Sequence, residues 1–406
     1  VPPDVRQVRP VRPSLPAGWS RTTLGEVTPQ PRPKVKPQDF PALEYIGMEH
    51  VEAHTTRLLG SVPANAMKSA TGHFWPGDVL YGRLRPYLNK VHCADSEGLC
   101  SSEFIVLPKG DKHDPKFLLY RLNSTDFVSF ASSLNAGDRP RVDFDQIAEF
   151  PVLLPPLPEQ RRIVGEIEKQ FTRLEAGVSA LQRVQANLHR YRAAVLKAAC
   201  EGPWKRLSVS EIGKAVTGST PSTKDPGNFG GDVPFFKPTD LNAGYYVREA
   251  REHLTAQGAK LARQLPERAV LVTCIGATIG KTGLARVACA TNQQINALVV
   301  DRRVAIPEWA FWCFVSPDGQ KQIKENASAT TLPILNKSRF ENLELPLPPL
   351  AEQERIVAEV ERRLSVVSEL AEVVEANLTR ATRLRQSILQ QAFDGRLVRQ
   401  NQGGAA

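Results

Sequence analysis

Two stretches of the chain place apolar residues at steps of three and four over about 30 positions, the signature of one continuous helical stripe. In the first, the stripe runs through Ile163, Ile167, Phe171, Leu174, Val178 and Leu181, then Leu188 and Val195. In the second it runs through Ile356, Val360, Leu364, Val367, Ala371, Val374, Leu378 and Ile388. The remaining faces carry Glu, Arg, Lys and Gln. Polar residues interrupt the stripe at Gln185, Arg192 and Arg385, where they could fix register or orientation. The two segments are copies of one another. PPLPEQRRIVGEIEKQF begins at Pro155 and PPLAEQERIVAEVERRL at Pro348, and they run without a gap to Ala199–Gly202 and Ala392–Gly395.

Each copy predicts a helix of about 38 residues, roughly 57 Å long at 1.5 Å per residue. Pro158 and Glu159 suit a first turn, because proline has no amide to waste there and a carboxylate faces the positive end of the dipole. Gly202 and Gly395 suit the stop, where a left-handed backbone is wanted. A solitary helix of this length cannot bury its own stripe. Duplication within one chain favours pairing the two copies over dimerisation between chains, and an antiparallel pair would create a pseudo-twofold axis.

Each helix follows a block of about 150 residues, an ordinary domain size. The blocks start alike, with Gly18-Trp19-Ser20-Arg21-Thr22 in the first and Pro203-Trp204-Lys205-Arg206-Leu207 in the second. Short strand-like runs follow at 78–81, 104–107, 269–272 and 297–300, with amphipathic helices predicted near Phe117–Phe130 and Trp309–Glu325. The expected class is α+β: two recognition blocks separated by two long antiparallel coiled-coil helices in an internal repeat. The expected segments are 1–154, of which 1–14 form a disordered Pro/Arg-rich leader, then helix 155–202, block 203–347, helix 348–399 and tail 400–406.

Composition changes this picture in three ways. No apolar run approaches the roughly 18 residues that cross a membrane. The six cysteines form no C-x-x-C pair and have no histidines at zinc spacing, so reduced, mostly buried cytoplasmic thiols are expected rather than a metal or disulfide framework. The net charge of +9, with a pI near 9.3, makes a polyanion a plausible partner, and nucleic acid is the commonest one.

Candidate DNA-contacting residues lie in loops that differ between the blocks. In the first they are Arg83, Arg85, Tyr87, Arg139 and Arg141. In the second they are Lys237, Thr239, Lys281, Asn292, Gln293, Gln294, Lys337 and Arg339. Arginine suits guanine and Asn or Gln suits adenine, whereas Lys and Thr suit phosphates, which position without specifying.

Catalytic patterns fail on inspection. Gly276–Lys281 has three residues between its glycines where a phosphate-binding loop of the Walker type needs four, leaving a glycine turn that presents Lys281. Asp232-Val233-Pro234-Phe235 only faintly matches the cofactor-side loop of amino-methyltransferases, and Asp114-Pro115-Lys116 reads as a loop. Seven scattered histidines show no triad or metal pattern. The expectation is a binding protein without a catalytic or metal site.

The PPLPEQ/PPLAEQ helices, the Trp-containing block starts, the Gly-x-x-x-Gly-Lys stretch, Asp143–Ile147 and the helix ends Arg190–Leu196 and Arg383–Leu389 closely resemble the specificity subunits of type I restriction–modification systems. The resemblance covers nearly the whole chain. It implies that each block reads one half of a bipartite sequence in double-stranded DNA and that the helices set the unread spacer. It also implies two methyltransferase subunits that bind S-adenosylmethionine, and in restriction complexes additional subunits that use ATP and magnesium. The chain itself then needs no cofactor. Two other readings compete: a specificity subunit serving a fused restriction–methylation enzyme, and a non-catalytic coiled-coil adaptor. The Pro/Arg-rich leader departs from the family pattern.

Overall fold

The computed structural model describes residues 15, 17–328 and 332–398. The expected leader 1–14 and tail 400–406 lie outside them. The chain divides into two compact units, one comprising Val1–Leu181 with Ala376–Ala406 and the other Gln182–Glu375. Each unit therefore holds one block and parts of both long helices.

The long helices span Leu157–Cys200 and Leu350–Phe393, 44 residues each. They exceed the expected length because helix begins directly after the second proline of each PP dipeptide and persists to the end of the repeat. One side chain fixes each start. Gln160 is fully buried; its amide donates to Pro155 O (2.8 Å) and Lys112 O (3.1 Å), and its Oε1 accepts from Asp114 N (2.7 Å). Gln353 repeats this with Pro348 O (2.8 Å), Val304 O (3.3 Å) and Ile306 N (2.9 Å). The glutamine of the repeated motif thus satisfies backbone groups of the block that would otherwise be buried unpaired.

The two C-terminal ends differ from expectation. Gly395 has φ +72°, and the amides of Arg396 and Leu397 both return to Gln391 O, closing the second helix. Gly202 has no positive φ; a Cβ there would meet the Trp204 ring at 2.7 Å. Its missing side chain makes room for an indole rather than for a left-handed turn.

The apolar stripe also buries differently from a plain coiled-coil seam. Ile163, Ile167 and Phe171 join one core with Leu119, Phe150, Ile388 and Phe393. Ile356, Val360 and Leu364 join another with Val195, Leu196 and Trp309. Val367 and Val374 are buried, and Leu174, Val178, Leu181 and Leu378 are half-buried. In the second unit Arg192 faces Leu364 and Ser368 across a cavity, while Val195 and Ala199 face Ile356 and Val360, so the helices run antiparallel there.

Both blocks share a skeleton. The first strand of each pairs antiparallel with the last, Ser20–Thr23 with Pro151–Leu154 and Arg206–Ser208 with Glu344–Pro346. Leu24 N donates to Phe150 O, and Val209 N to Leu343 O, both at 2.9 Å. The first block adds a three-stranded sheet, Val91–Cys93, Val79–Gly82 and Phe104–Leu107, and a four-stranded sheet around Gly98–Cys100. The second block has five- and four-stranded sheets centred on Val270–Thr273 and Phe229–Phe236. The strand containing Asp232–Phe235 ends in the core, with Phe235 fully buried, which rules out an open cofactor loop there.

Each predicted amphipathic helix is two helices, Pro115–Leu122 with Thr125–Ser133 and Pro307–Val315 with Pro317–Glu325. Ser316 caps the last of these, accepting from Gly319 N at 3.1 Å. Asp114 is likewise a helix cap, accepting from Lys116 N and Phe117 N, rather than part of a loop.

Candidate nucleic-acid interface

In the first block the two candidate loops, more than fifty residues apart in sequence, form one surface. Leu84 bridges Arg141, Arg85 N donates to Pro140 O (2.7 Å) and Val142 N to Arg83 O (3.1 Å). The second block repeats this arrangement. Ile275 bridges Ile334, Gly276 N donates to Pro333 O (3.0 Å) and Leu335 N to Cys274 O (2.8 Å). The backbone frame is therefore the same, while the side chains it carries differ.

The five candidates of the first block separate by environment. Arg83 is held by Asp143, and Arg141 makes a two-pronged pair with Glu103 at 2.9 and 3.0 Å. Arg85 and the exposed Arg139 make no ion pair among the described residues, and Tyr87 is 46% exposed. Arg85 also adopts a left-handed backbone, φ +53°, at the position where the second block has Gly276, φ +98°. For a side chain with a Cβ this conformation costs on the order of 1 kcal/mol. Strain of this kind concentrates where a side chain must be aimed.

The second block brings Lys281 beside the Lys237–Asp240 loop. Its ammonium donates to Asn242 Oδ1 (2.6 Å) and Pro238 O (3.3 Å), so the glycine turn is tied inward rather than left open for a phosphate. Lys237 pairs with Glu252, and Thr239 is exposed. Asn292 and Gln294 are spent on their own loop: Asn292 is buried, its Nδ2 donates to Gln294 Oε1 (2.9 Å) and its Oδ1 accepts from Gln294 N (3.2 Å). Gln293 is exposed and accepts from Thr220 Oγ1 at 2.6 Å. Lys337 and Arg339 lie exposed on the short helix Lys337–Glu341, Lys337 near Glu341 (3.4 Å) and Arg339 donating to Asn326 O (3.1 Å).

One feature escaped the sequence reading. Residues 66–71, with Tyr45, Ser101 and Ser102, line a polar groove of about 450 Å³ on the first block, and Lys68 is exposed on it. The only sequence signal is a short polar run, Lys-Ser-Ala-Thr-Gly, between strands.

These surfaces offer cationic and amide groups but no nucleophile paired with a base. Among the described residues no cluster of His, Cys, Asp or Glu could hold a metal ion, and no helix is long and apolar enough to cross a membrane. All six cysteines are free, and burial pushes Cys93 up to about 11 and Cys100, Cys274 and Cys289 up to about 12, so their thiols stay protonated near neutral pH.

The fold defines an internally duplicated α+β protein in which each unit combines a block carrying paired loops with parts of both long helices. The chain belongs to the family described as the type I restriction modification DNA specificity domain, matched over residues 86–181 and 201–376. It is 29% identical over 195 residues to the type I restriction enzyme EcoDI specificity subunit of Escherichia coli, covering 47% of this chain and 43% of that protein. It is 22% identical over 442 aligned positions to the HindI specificity subunit of Haemophilus influenzae, covering 86% and 94%. The fold is similar to a chain in a structure of type I R-M complex assembly and conformational transition, with TM-score 0.82, 23% identity and coverage of 95% of this chain and 100% of that one. It also resembles the crystal structure of an HsdS subunit from Thermoanaerobacter tengcongensis, with TM-score 0.58, 23% identity and coverage of 94% and 98%.

Proposed function

We propose that the chain is the DNA-specificity subunit of a type I restriction–modification complex, each block reading one half of a split target in double-stranded DNA. The observation that carries this reading is the repeated loop bridge, Leu84 to Arg141 and Ile275 to Ile334, which presents different side chains on one backbone frame. In the first block Arg85, Tyr87 and Arg139 are the groups left without an acidic partner, and arginine forks read guanine. In the second, Thr239, Gln293, Lys337 and Arg339 are the exposed candidates. Arg83, Arg141, Lys237 and Lys281 already hold protein partners and serve to shape the loops.

The long helices act as the ruler. A 44-residue helix is about 66 Å long, and one turn of DNA is about 34 Å, so helices of this size can hold two reading surfaces at a spacing of one DNA turn. Two methyltransferase subunits dock on this frame and bring S-adenosylmethionine. Restriction subunits, where present, bring ATP and magnesium. The chain itself supplies recognition and no catalytic group, and it acts on DNA in the cytoplasm.

The test is the methylome of cells carrying the chain with its methyltransferase. Exchanging residues 15–150 for another family member's block should change one half of the methylated sequence and leave the other. A change in both halves, or in neither, would refute the reading.

A further inference from the structure

The repeat places an arginine at the same point of each long helix, Arg385 in one and Arg192 in the other, and treats them differently. Arg385 is paired. Its guanidinium lies 3.9 Å from the centroid of the Phe171 ring and 3.6 Å from Glu175 Oε1, and its side chain is 15% exposed. At the matching positions around Arg192 the phenylalanine is Leu364 and the glutamate is Ser368. Arg192 is half-buried and has neither hydrogen bond nor ion pair among the described residues. Burial alone pushes its guanidinium down, whereas at Arg385 the charges of Glu175 and Glu52 oppose that effect.

What remains is a cavity of about 560 Å³ lined by Arg192, Tyr245, Trp312, Glu361 and Ser368. Tyr245 and Trp312 stand with ring centroids 4.5 Å apart. Glu361 does not neutralise Arg192; it accepts from Tyr245 Oη at 2.5 Å. The cavity thus sets a half-buried cation without a counter-ion against an aromatic wall, an arrangement that an incoming carboxylate would complete.

We propose that this cavity docks an acidic side chain from a partner polypeptide, its carboxylate pairing with Arg192 and its stem packing on Tyr245 and Trp312. The first unit is the template: there the chain itself supplies the carboxylate, Glu175. A DNA phosphate fits less well, because it has no apolar stem to pack on Tyr245 and Trp312. The inference rests on the proposed function, and the partner it commits to is a methyltransferase subunit.

The experiment titrates the full chain with its purified methyltransferase subunit by calorimetry, in wild type, Arg192→Ala and Ser368→Glu. Ser368→Glu rebuilds the pair of the first unit and closes the site from within. Both variants should weaken binding by about tenfold or more, as removal of one partner of a desolvated charge pair does. Ser368→Glu should leave the melting temperature of the free chain at or slightly above that of wild type, which separates site closure from misfolding. Affinities within about twofold of wild type in both variants would overturn the inference and leave the specificity reading standing. No binding by wild type would remove the docking reading and the inference with it. If free acetate stabilises wild type but not Arg192→Ala, while methyltransferase affinity is unchanged, the cavity takes a small anion and the inference fails.

Discussion

The two units of this chain keep some contacts identical and change others at matching positions, and the division follows the job each contact does. The glutamine locks at Gln160 and Gln353 agree bond for bond, as do the loop bridges at Leu84 and Ile275. The side chains standing on that frame do not agree. Arg85 corresponds to Gly276, His113 to Ala305, and Phe171 with Glu175 to Leu364 with Ser368. Backbone groups buried at a helix entry must be paired whatever the unit binds, which fixes the lock. Exposed loops and helix flanks carry no such demand, so they can diverge.

The strongest way to break the comparison is to remove a lock. Gln160→Leu fills the same space but leaves Asp114 N, Lys112 O and Pro155 O without their partner. At about 1–3 kcal/mol for each buried unsatisfied group, partly relieved by relaxation, the loss should be about 3–5 kcal/mol. Gln353→Leu should cost the same in the second unit. Urea unfolding of each variant measures both, and a difference of more than about 2 kcal/mol between them would show that the two locks are not equivalent.

A smaller effect separates the arginines. Arg385→Ala removes a partly desolvated cation–π contact with Phe171 and should cost about 1–2 kcal/mol. Its ion pair with the 70%-exposed Glu175 adds little. Arg192→Ala removes a guanidinium that has no partner in the free chain and should change stability by less than about 0.5 kcal/mol. Thermal unfolding of the two variants side by side tests this, and equal losses would show that Arg192 is already satisfied in the free chain.

Much of the frame is legible in the sequence. The stripe of Ile163, Ile167 and Phe171 and its copy have a period only a helix satisfies, and the helices are there. The strands at 79–82 and 270–273 show as short apolar runs. What could not be read depended on which neighbours each side chain meets in the folded chain, whether near or distant in sequence. The meaning of Gly202 is set by the ring of Trp204, and the break at Ser316 is a cap within an otherwise continuous helical pattern. Among the candidate contact residues, the sequence located the loops but could not say that Arg141 is taken by Glu103, or that Asn292 closes on Gln294. Occupancy by neighbours is a property of the folded surface, and a list of polar residues does not contain it.

Arg85 and Gly276 allow that distinction to be measured. Arg85→Gly places at the left-handed position the residue its counterpart already has there. It should stabilise the first unit by roughly 1 kcal/mol, offset by the greater freedom glycine has in the unfolded chain, so the net gain should be below 1 kcal/mol. The same change should weaken DNA binding and relax the first half of the recognised sequence. Gly276→Ala should run the other way, destabilising by about 1 kcal/mol, because the backbone is strained while the nearest atom to the new Cβ, Leu332 Cδ1 at 3.8 Å, is at ordinary contact distance. Stability and methylation pattern measured on the same variants would show whether the strain at Arg85 serves recognition. A stabilised Arg85→Gly with unchanged methylation would show that it does not.

The smallest expected effect is the acid response of the two units. His113 is buried beside the first lock, where the second unit has the equally buried Ala305. Its Nδ1 lies 3.1 Å from Val27 O, so that nitrogen carries the proton, while Nε2 is buried with no partner. Protonation would place a second N–H in the core with nothing to accept it. Burial accordingly pushes the imidazole below its ordinary value of 6.5, with the Val27 hydrogen bond opposing in part. The folded state then binds a proton less readily than the unfolded chain. Stability is fully present above the unfolded value and declines as the pH falls from there through the lower folded value. His92, also pushed down by burial, acts in the same direction within the same unit. His113→Ala should therefore flatten, without abolishing, the fall in melting temperature between about pH 7.5 and pH 5.5. The comparison with Ala305 assigns this response to the first unit, so the hydrogen-exchange protection of the strand Val79–Gly82, relative to its intrinsic rate at each pH, should fall over that range in wild type more than that of Val270–Thr273. Equal loss of protection in both strands, or a His113→Ala profile as steep as wild type, would place the acid sensitivity elsewhere.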